Sequence, residues 1–360
     1  MVYSVSFVAF TIVGVLFQWL LKLFRPSQGG VPEKSKVQDA THKAPYPCNA
    51  IKGNQKFRIT MGLRRLDERN WLTVDKNYLK EHDVRISLLQ NQRSQVIQCL
   101  PESKIACAEA LEVVAEFLCE RFPDMFRMKE AAGVKTIYNS KTGESFVIGD
   151  ENSGIDPLET AVRLAMEDLS ILMKNEEGEY YLAASATLFP VGWTVQDRIG
   201  WTISQMHGPV PEWKDKIGHS VNKFFCRLTP ESPMERSNYF LETKEPDEDL
   251  GDTLFRPLGL NEDQPGLSIE DILLRQERQT FRRLPRTGAL IFSVKTTLNT
   301  FDELPVEQLQ ALATEIRSWP EDMAKYKGRD IWGQRIFGII AFFSPSFLFS
   351  GVSAFDLLWP

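Results

Sequence analysis

The chain has 360 residues, of which 43% are hydrophobic and 25% charged, a balance that excludes disorder throughout and allows one large domain. A formal net charge of −6 argues against nucleic-acid binding, which needs a basic face. The five cysteines, Cys48, Cys99, Cys107, Cys119 and Cys226, are odd in number and form no CxxC pair, so reduced thiols are expected rather than a secreted disulfide framework.

Residues 2–21 carry no charge, and a helix of that length, at ~1.5 Å per residue, matches a bilayer's hydrocarbon core. Lys22, Arg25, Lys34 and Lys36 follow it and no side-chain cation precedes it. The expectation is an uncleaved anchor at residues 1–25 with the rest facing the cytosol, at the endoplasmic reticulum and in contact with membrane lipid. Residues 26–46, rich in Pro, Gly, Ser and Lys, are expected to be a flexible linker. The main domain is expected over 47–335. Residues 336–360 are uncharged for most of their length and rich in phenylalanine, but Pro345 and Gly351 interrupt any helix; a second span or a membrane-surface segment would each fit.

Within the domain, apolar spacing predicts helices over 71–79, 101–122, 158–173, 211–228 and 309–319. Strands are expected over 180–189 and 288–298, with a third at 239–243, and residues 244–271 read as a long acidic loop. Without a regular βαβ alternation, the fold class is α+β.

No GxGxxG, P-loop, GxSxG, HExxH or cysteine-rich metal knuckle is present, so the chain lacks an evident means of holding nicotinamide, flavin or an iron–sulfur cluster. Of the four histidines, His42 falls in the linker, His82 in a charged stretch expected to be solvated, and His219 on the polar side of the 211–228 helix. His207 differs. It sits in MHGPVPEW, where Gly208 permits close backbone approach and Pro209 and Pro211 stiffen the loop, a setting that could hold an imidazole for axial coordination of a flat cofactor. The run RQERQTFRRLPRTG from Arg275 to Gly288 carries five arginines in twelve residues and could bind carboxylates bidentately, or simply form a solvated basic face.

Six segments stand in order: MGLRRLDERNWLTVD from Met61, MEDLSILM from Met166, TLFPVGW from Thr187, MHGPVP from Met206, RSNYF from Arg236 and RQTFRRLPRTGAL from Arg278. Together they resemble the haem-dependent oxidative N-demethylase alpha-subunit family. The resemblance implies a PAS-like haem-binding core with added helices. It also implies a monooxygenase-type oxidation of a small secondary methylamine by O₂, releasing formaldehyde. Electrons would come from NADPH through a separate reductase carrying flavin, an iron–sulfur cluster or both. Transferred to this sequence, His207 becomes the ligand to the iron of haem b. Arg278, Arg282 and Arg283 become candidates for the propionates, and Glu167, Asp168, Asn238 and Tyr239 for distal or proton-relay roles. The alternatives are a haem-based gas or redox sensor and a non-catalytic membrane-associated binding protein.

Overall fold

A computed structural model describes residues 40–48, 50–149, 154–245, 247–259, 269–330 and 332. The expected anchor at 1–25, most of the expected linker at 26–46 and the C-terminal segment at 336–360 lie outside the described residues. Among those described, no helix is long and apolar enough to cross a membrane.

The centre is a seven-stranded sheet in the order β1-β8-β9-β10-β6-β7-β2, antiparallel at every pairing. Its strands are β1 (Arg64–Arg65), β2 (Ile97–Cys99), β6 (Asp168–Lys174), β7 (Tyr180–Ala186), β8 (Met234–Thr243), β9 (Ile272–Arg283) and β10 (Leu290–Thr300). A separate meander joins β3 (Phe126–Ala131), β4 (Val134–Asn139) and β5 (Ser145–Ile148). Its first turn places Ala132 and Gly133 both at positive φ, a conformation that suits a tight hairpin. The α+β class expected from the sequence is the one observed.

One face of the large sheet is covered by α1 (Tyr78–Asn91), α2 (Lys104–Arg121) and α3 (Pro157–Leu164), whose apolar residues join Trp71, Leu72, Leu169 and Ile171 in one core. The opposite face carries short α4 (Val195–Arg198), α5 (Ile203–Met206) and α6 (Gly218–Arg227), with Ile203, Val221 and Phe225 packed on Phe281 and Leu290. At the far end of β8 and β9, α7 (Val306–Arg317) seats Leu309, Leu312 and Ile316 on Leu241, Ile272 and Leu274, and α8 (Glu321–Tyr326) follows it.

Several expectations need correction. Residues 158–173 do not form one helix. Asp156 caps α3, Pro157 opens it, and it stops at Leu164; residues 168–174 then form a central strand buried along most of its length. A strand covered on both faces reads as a continuous apolar run, which short windows confuse with a helix. The helix expected over 71–79 starts only at Tyr78. The arginine-rich stretch after 275 is mostly the twelve-residue strand β9, with Arg275 paired to Glu242 at 3.1 Å and Arg278 to Glu235 at 2.8 Å. The end of the expected linker packs on the domain: the Tyr46 ring lies 4.4 Å from the Arg278 guanidinium, and Lys76 N–H donates to the Lys43 carbonyl. His82 is buried rather than solvated, with Nε2 2.8 Å from Glu144.

Candidate active site

His207 ends α5. Thr202 and Gln205 start that helix with reciprocal side-chain caps, and the His207 amide donates to the Ile203 carbonyl at 3.1 Å. Its Nδ1 lies 2.9 Å from that same carbonyl. A carbonyl oxygen only accepts, so Nδ1 carries the proton and Nε2 keeps its lone pair. Burial pushes the imidazole pKa down to about 4, opposed by the bond to Ile203 and reinforced by Arg236 and Arg198. Near neutral pH the ring is an uncharged Lewis base.

The ring is also fixed in orientation. It stacks on the Trp213 indole with centroids 4.1 Å apart and planes 13° from parallel. Glu212 takes a left-handed backbone conformation (φ 60°) and leads into a wide helical turn at Trp213–Ile217. Gly218 closes that turn: a Cβ there would lie 3.1 Å from Trp213 Nε1 and 3.3 Å from its carbonyl. The missing side chain lets the indole fold back against its own helix, under the imidazole.

Cross-strand pairing defines what shares this side of the sheet. Directly opposed residues point the same way, and Met234↔Phe281, Arg236↔Gln279 and Asn238↔Glu277 are such pairs. Phe281 packs with Ile203 and Val221, against which Met206 and Trp213 also lie, so this is the face bearing the His207 loop. Two guanidinium groups act on the imidazole. Arg198 lies over the Trp193 ring at 5.0 Å, and Arg236 has a buried Nε with no hydrogen-bond partner. Neither has a carboxylate at ion-pair distance among the described residues. Burial lowers the pKa of both, with Tyr326 acting in the opposite sense on each. Glu277 completes the row: its Oε2 accepts from Gln279 Nε2 at 2.8 Å and from Asn238 Nδ2 at 3.5 Å.

Of the residues singled out in the sequence, His207 and Asn238 fall on this side. Arg283 lies on this side too but farther along β9, against Tyr180 and the end of α6; the others lie elsewhere. Glu167 is buried and accepts from the Thr73 amide and hydroxyl, both at 2.9 Å; burial raises its pKa. Asp168 is bound by Arg85 at 2.7 Å and by the Phe189 amide at 3.0 Å. Tyr239 points away from Asn238 and donates to Glu315 at 3.0 Å. Arg278 donates to Glu235 and to the Asn70 and Trp71 carbonyls, and Arg282 stacks over Trp71 at 4.8 Å. Arg283 ties β9 to the end of α6 through the Leu228 and Phe225 carbonyls. The three arginines expected to hold propionates are therefore committed to protein partners, and among the described residues the cations without an ion-pair partner that act on His207 are Arg198 and Arg236. Arg236 stands in the quoted RSNYF segment and Glu277 between the arginines of RQERQ; period-two alternation along β8 and β9 was the signal that would have put them together.

Among the described residues no group of three or more His, Cys, Asp or Glu side chains is placed to hold a metal ion. A bare cation thus has no cage here, whereas a metal already chelated by a planar macrocycle needs only one axial base and positive charge for its acid groups. His207, Arg198 and Arg236 offer that set. The family described as haem-dependent oxidative N-demethylase, alpha subunit-like, matches residues 62–337, well over half of the chain, and spans every residue of this site. The chain belongs to that family.

Proposed function

We propose that the protein binds haem b through His207 Nε2 and carries out oxidative N-demethylation of a small secondary methylamine, using O₂ and electrons passed from NADPH by a separate flavin or iron–sulfur reductase. The observation that carries this reading is the fixed tautomer of His207, whose Nδ1–H is given to Ile203 while Nε2 stays open. When bound, haem supplies the oxygen activation that no side chain can perform.

The chain's own groups supply position and polarity. Trp213 holds the imidazole plane, and Arg198 and Arg236 provide the positive charge that two porphyrin carboxylates require. Glu277 presents a carboxylate able to accept from an amine N–H, and Asn238 and Gln279 keep it oriented. The PAS-like description of the core belongs to this reading as well. So does the anchor: twenty uncharged residues followed by Lys22 and Arg25 support attachment to a membrane such as the endoplasmic reticulum, where a membrane-bound reductase would reach the domain.

The test is an absorption spectrum of protein produced with ample haem, compared with His207→Ala. The wild type should show an intense Soret band, and the variant should lose or shift it and recover on adding imidazole. With NADPH and a reductase, the wild type should then release formaldehyde from dimethylamine. A colourless wild type overturns the reading. A coloured protein that binds O₂ reversibly with no formaldehyde would instead be a sensor.

A further inference from the structure

Two cysteines share a corner at one edge of the large sheet. β2 is the last strand in the sheet order and ends at Cys99, opposite Ala184. The chain then enters α2, and Cys107 lies one turn into it. A relay of bonds holds the corner tight. The Leu100 amide donates to the Ala183 carbonyl at 2.9 Å, Ser103 Oγ to the Leu100 carbonyl at 2.7 Å, and the Cys107 thiol to Ser103 Oγ at 3.6 Å. Asp156, the cap of α3, stands beside them.

A cavity of about 450 Å³ opens at this corner, lined by Cys99, Leu100, Lys104, Cys107, Ile155 and Asp156. Its volume falls in the range of sites that admit small organic molecules. Both cysteines are free thiols. We propose that Cys99 and Cys107 form a dithiol–disulfide pair, oxidised by a low-molecular-weight disulfide such as oxidised glutathione that enters through this cavity.

The exchange balances. Cys99, the less buried of the two, gives its proton to Asp156 and attacks the small disulfide, whose S–S bond breaks as a mixed disulfide forms. The leaving sulfur takes up that proton. Cys107 then attacks the Cys99 sulfur and displaces the second small thiol, which leaves with the Cys107 proton. Two protein thiols lose two electrons, and the small disulfide gains them. The two thiols already act on each other: a hydrogen bond with Cys107 is the first cause that raises the Cys99 pKa, ahead of burial, and Asp156 pushes the same way. A bond between the sulfurs carries no charge and escapes that penalty. It would also tie β2, which has a strand neighbour on one side alone, to the helix that covers it.

The experiment incubates folded full-length protein with oxidised glutathione, alkylates the remaining thiols, and maps unreduced peptides by mass spectrometry. A Cys99–Cys107 link, lighter than its thiol peptides by two hydrogens, should form, and Cys119→Ser should retain it. Cys107→Ser should stop the reaction with glutathione on Cys99. The oxidised wild type should melt at a higher temperature than the reduced protein, a rise that Cys99→Ser lacks. Recovery of Cys99 and Cys107 in alkylated form, while the exposed Cys226 takes up glutathione, overturns the proposal. So does a link from Cys99 to Cys119. The wild-type map decides the outcome even where a variant fails to fold, and none of it depends on haem.

Discussion

His207 and Ile203 are joined twice through one oxygen: the histidine amide and its Nδ1–H both donate to the Ile203 carbonyl, at 3.1 and 2.9 Å. The ring is thereby tied to the backbone of its own helical turn, so the nitrogen left unprotonated, Nε2, is set by local structure and survives changes in surrounding side chains. Mutation can still reach it through the ring beneath.

Trp213→Ala should leave the Nδ1 bond intact but free the imidazole to rotate. Aromatic pairs contribute about 0.5–1.5 kcal/mol, so haem affinity is expected to fall up to ~10-fold. The electron paramagnetic resonance signal of the ferric protein should broaden. An unchanged signal and affinity would show that stacking does not govern the ligand.

Gly218→Ala separates packing from helix propensity. Alanine favours a helix by about 1 kcal/mol over glycine, yet the new Cβ meets Trp213 Nε1 at 3.1 Å. Thermal stability should change little while haem affinity drops in the same direction as for Trp213→Ala. Titration of the apoprotein with haemin, followed at the Soret band, measures the second effect.

Arg236 and Arg278 should behave in opposite ways. Arg278→Met strands Glu235 with only the half-exposed Arg64, at 2.7 Å, as counter-charge. Losing one partner of a buried pair costs about 3–5 kcal/mol, and Arg64 places this case near the lower bound. Arg236→Met removes a guanidinium with an unpartnered Nε, so urea stability should hold or rise. Haem affinity should fall for Arg236→Met and stay near wild type, in folded protein, for Arg278→Met.

Acid stability should report on Glu144. Burial alone would raise its pKa, but hydrogen bonds from His82 and Arg163 hold it down at about 2, against 4.5 for the free side chain. The folded state thus binds fewer protons than the unfolded chain between those values. The stabilisation is complete above about pH 4.5 and is lost as pH falls toward 2, reaching at most ~3 kcal/mol and less after solvent screening. Glu144→Gln should flatten that part of the stability curve in urea melts between pH 5 and 2.5.

The sequence showed some parts of this architecture clearly and concealed others for identifiable reasons. The helices expected over 101–122 and 309–319 carry an apolar period and the strand expected over 288–298 a β-branched run, and all three are found within a few residues of those bounds. The meander at 126–148 was hidden because its strands carry Arg127, Lys129, Glu130 and Lys135 on exposed positions, diluting the β pattern. His207 was legible because glycine and prolines frame it. The cations beside it were not. An arginine's partner depends on strand register, and Arg278 and Arg236 look equally available until β8 and β9 are aligned. Once aligned, one faces Trp71 and a carboxylate, and the other faces the histidine loop.

The strand order also governs when a cofactor can enter. Arg198, His207, Arg236, Glu277 and Tyr326 come from five separate stretches, brought together only after β8 has paired with β9 and α8 has docked. Pairings between segments distant in sequence form slowly, since loop closure must precede the contacts that reward it. On the reading proposed above, haem acceptance would follow completion of the sheet, and a cell short of porphyrin would then accumulate an assembled apoprotein rather than an unfolded chain.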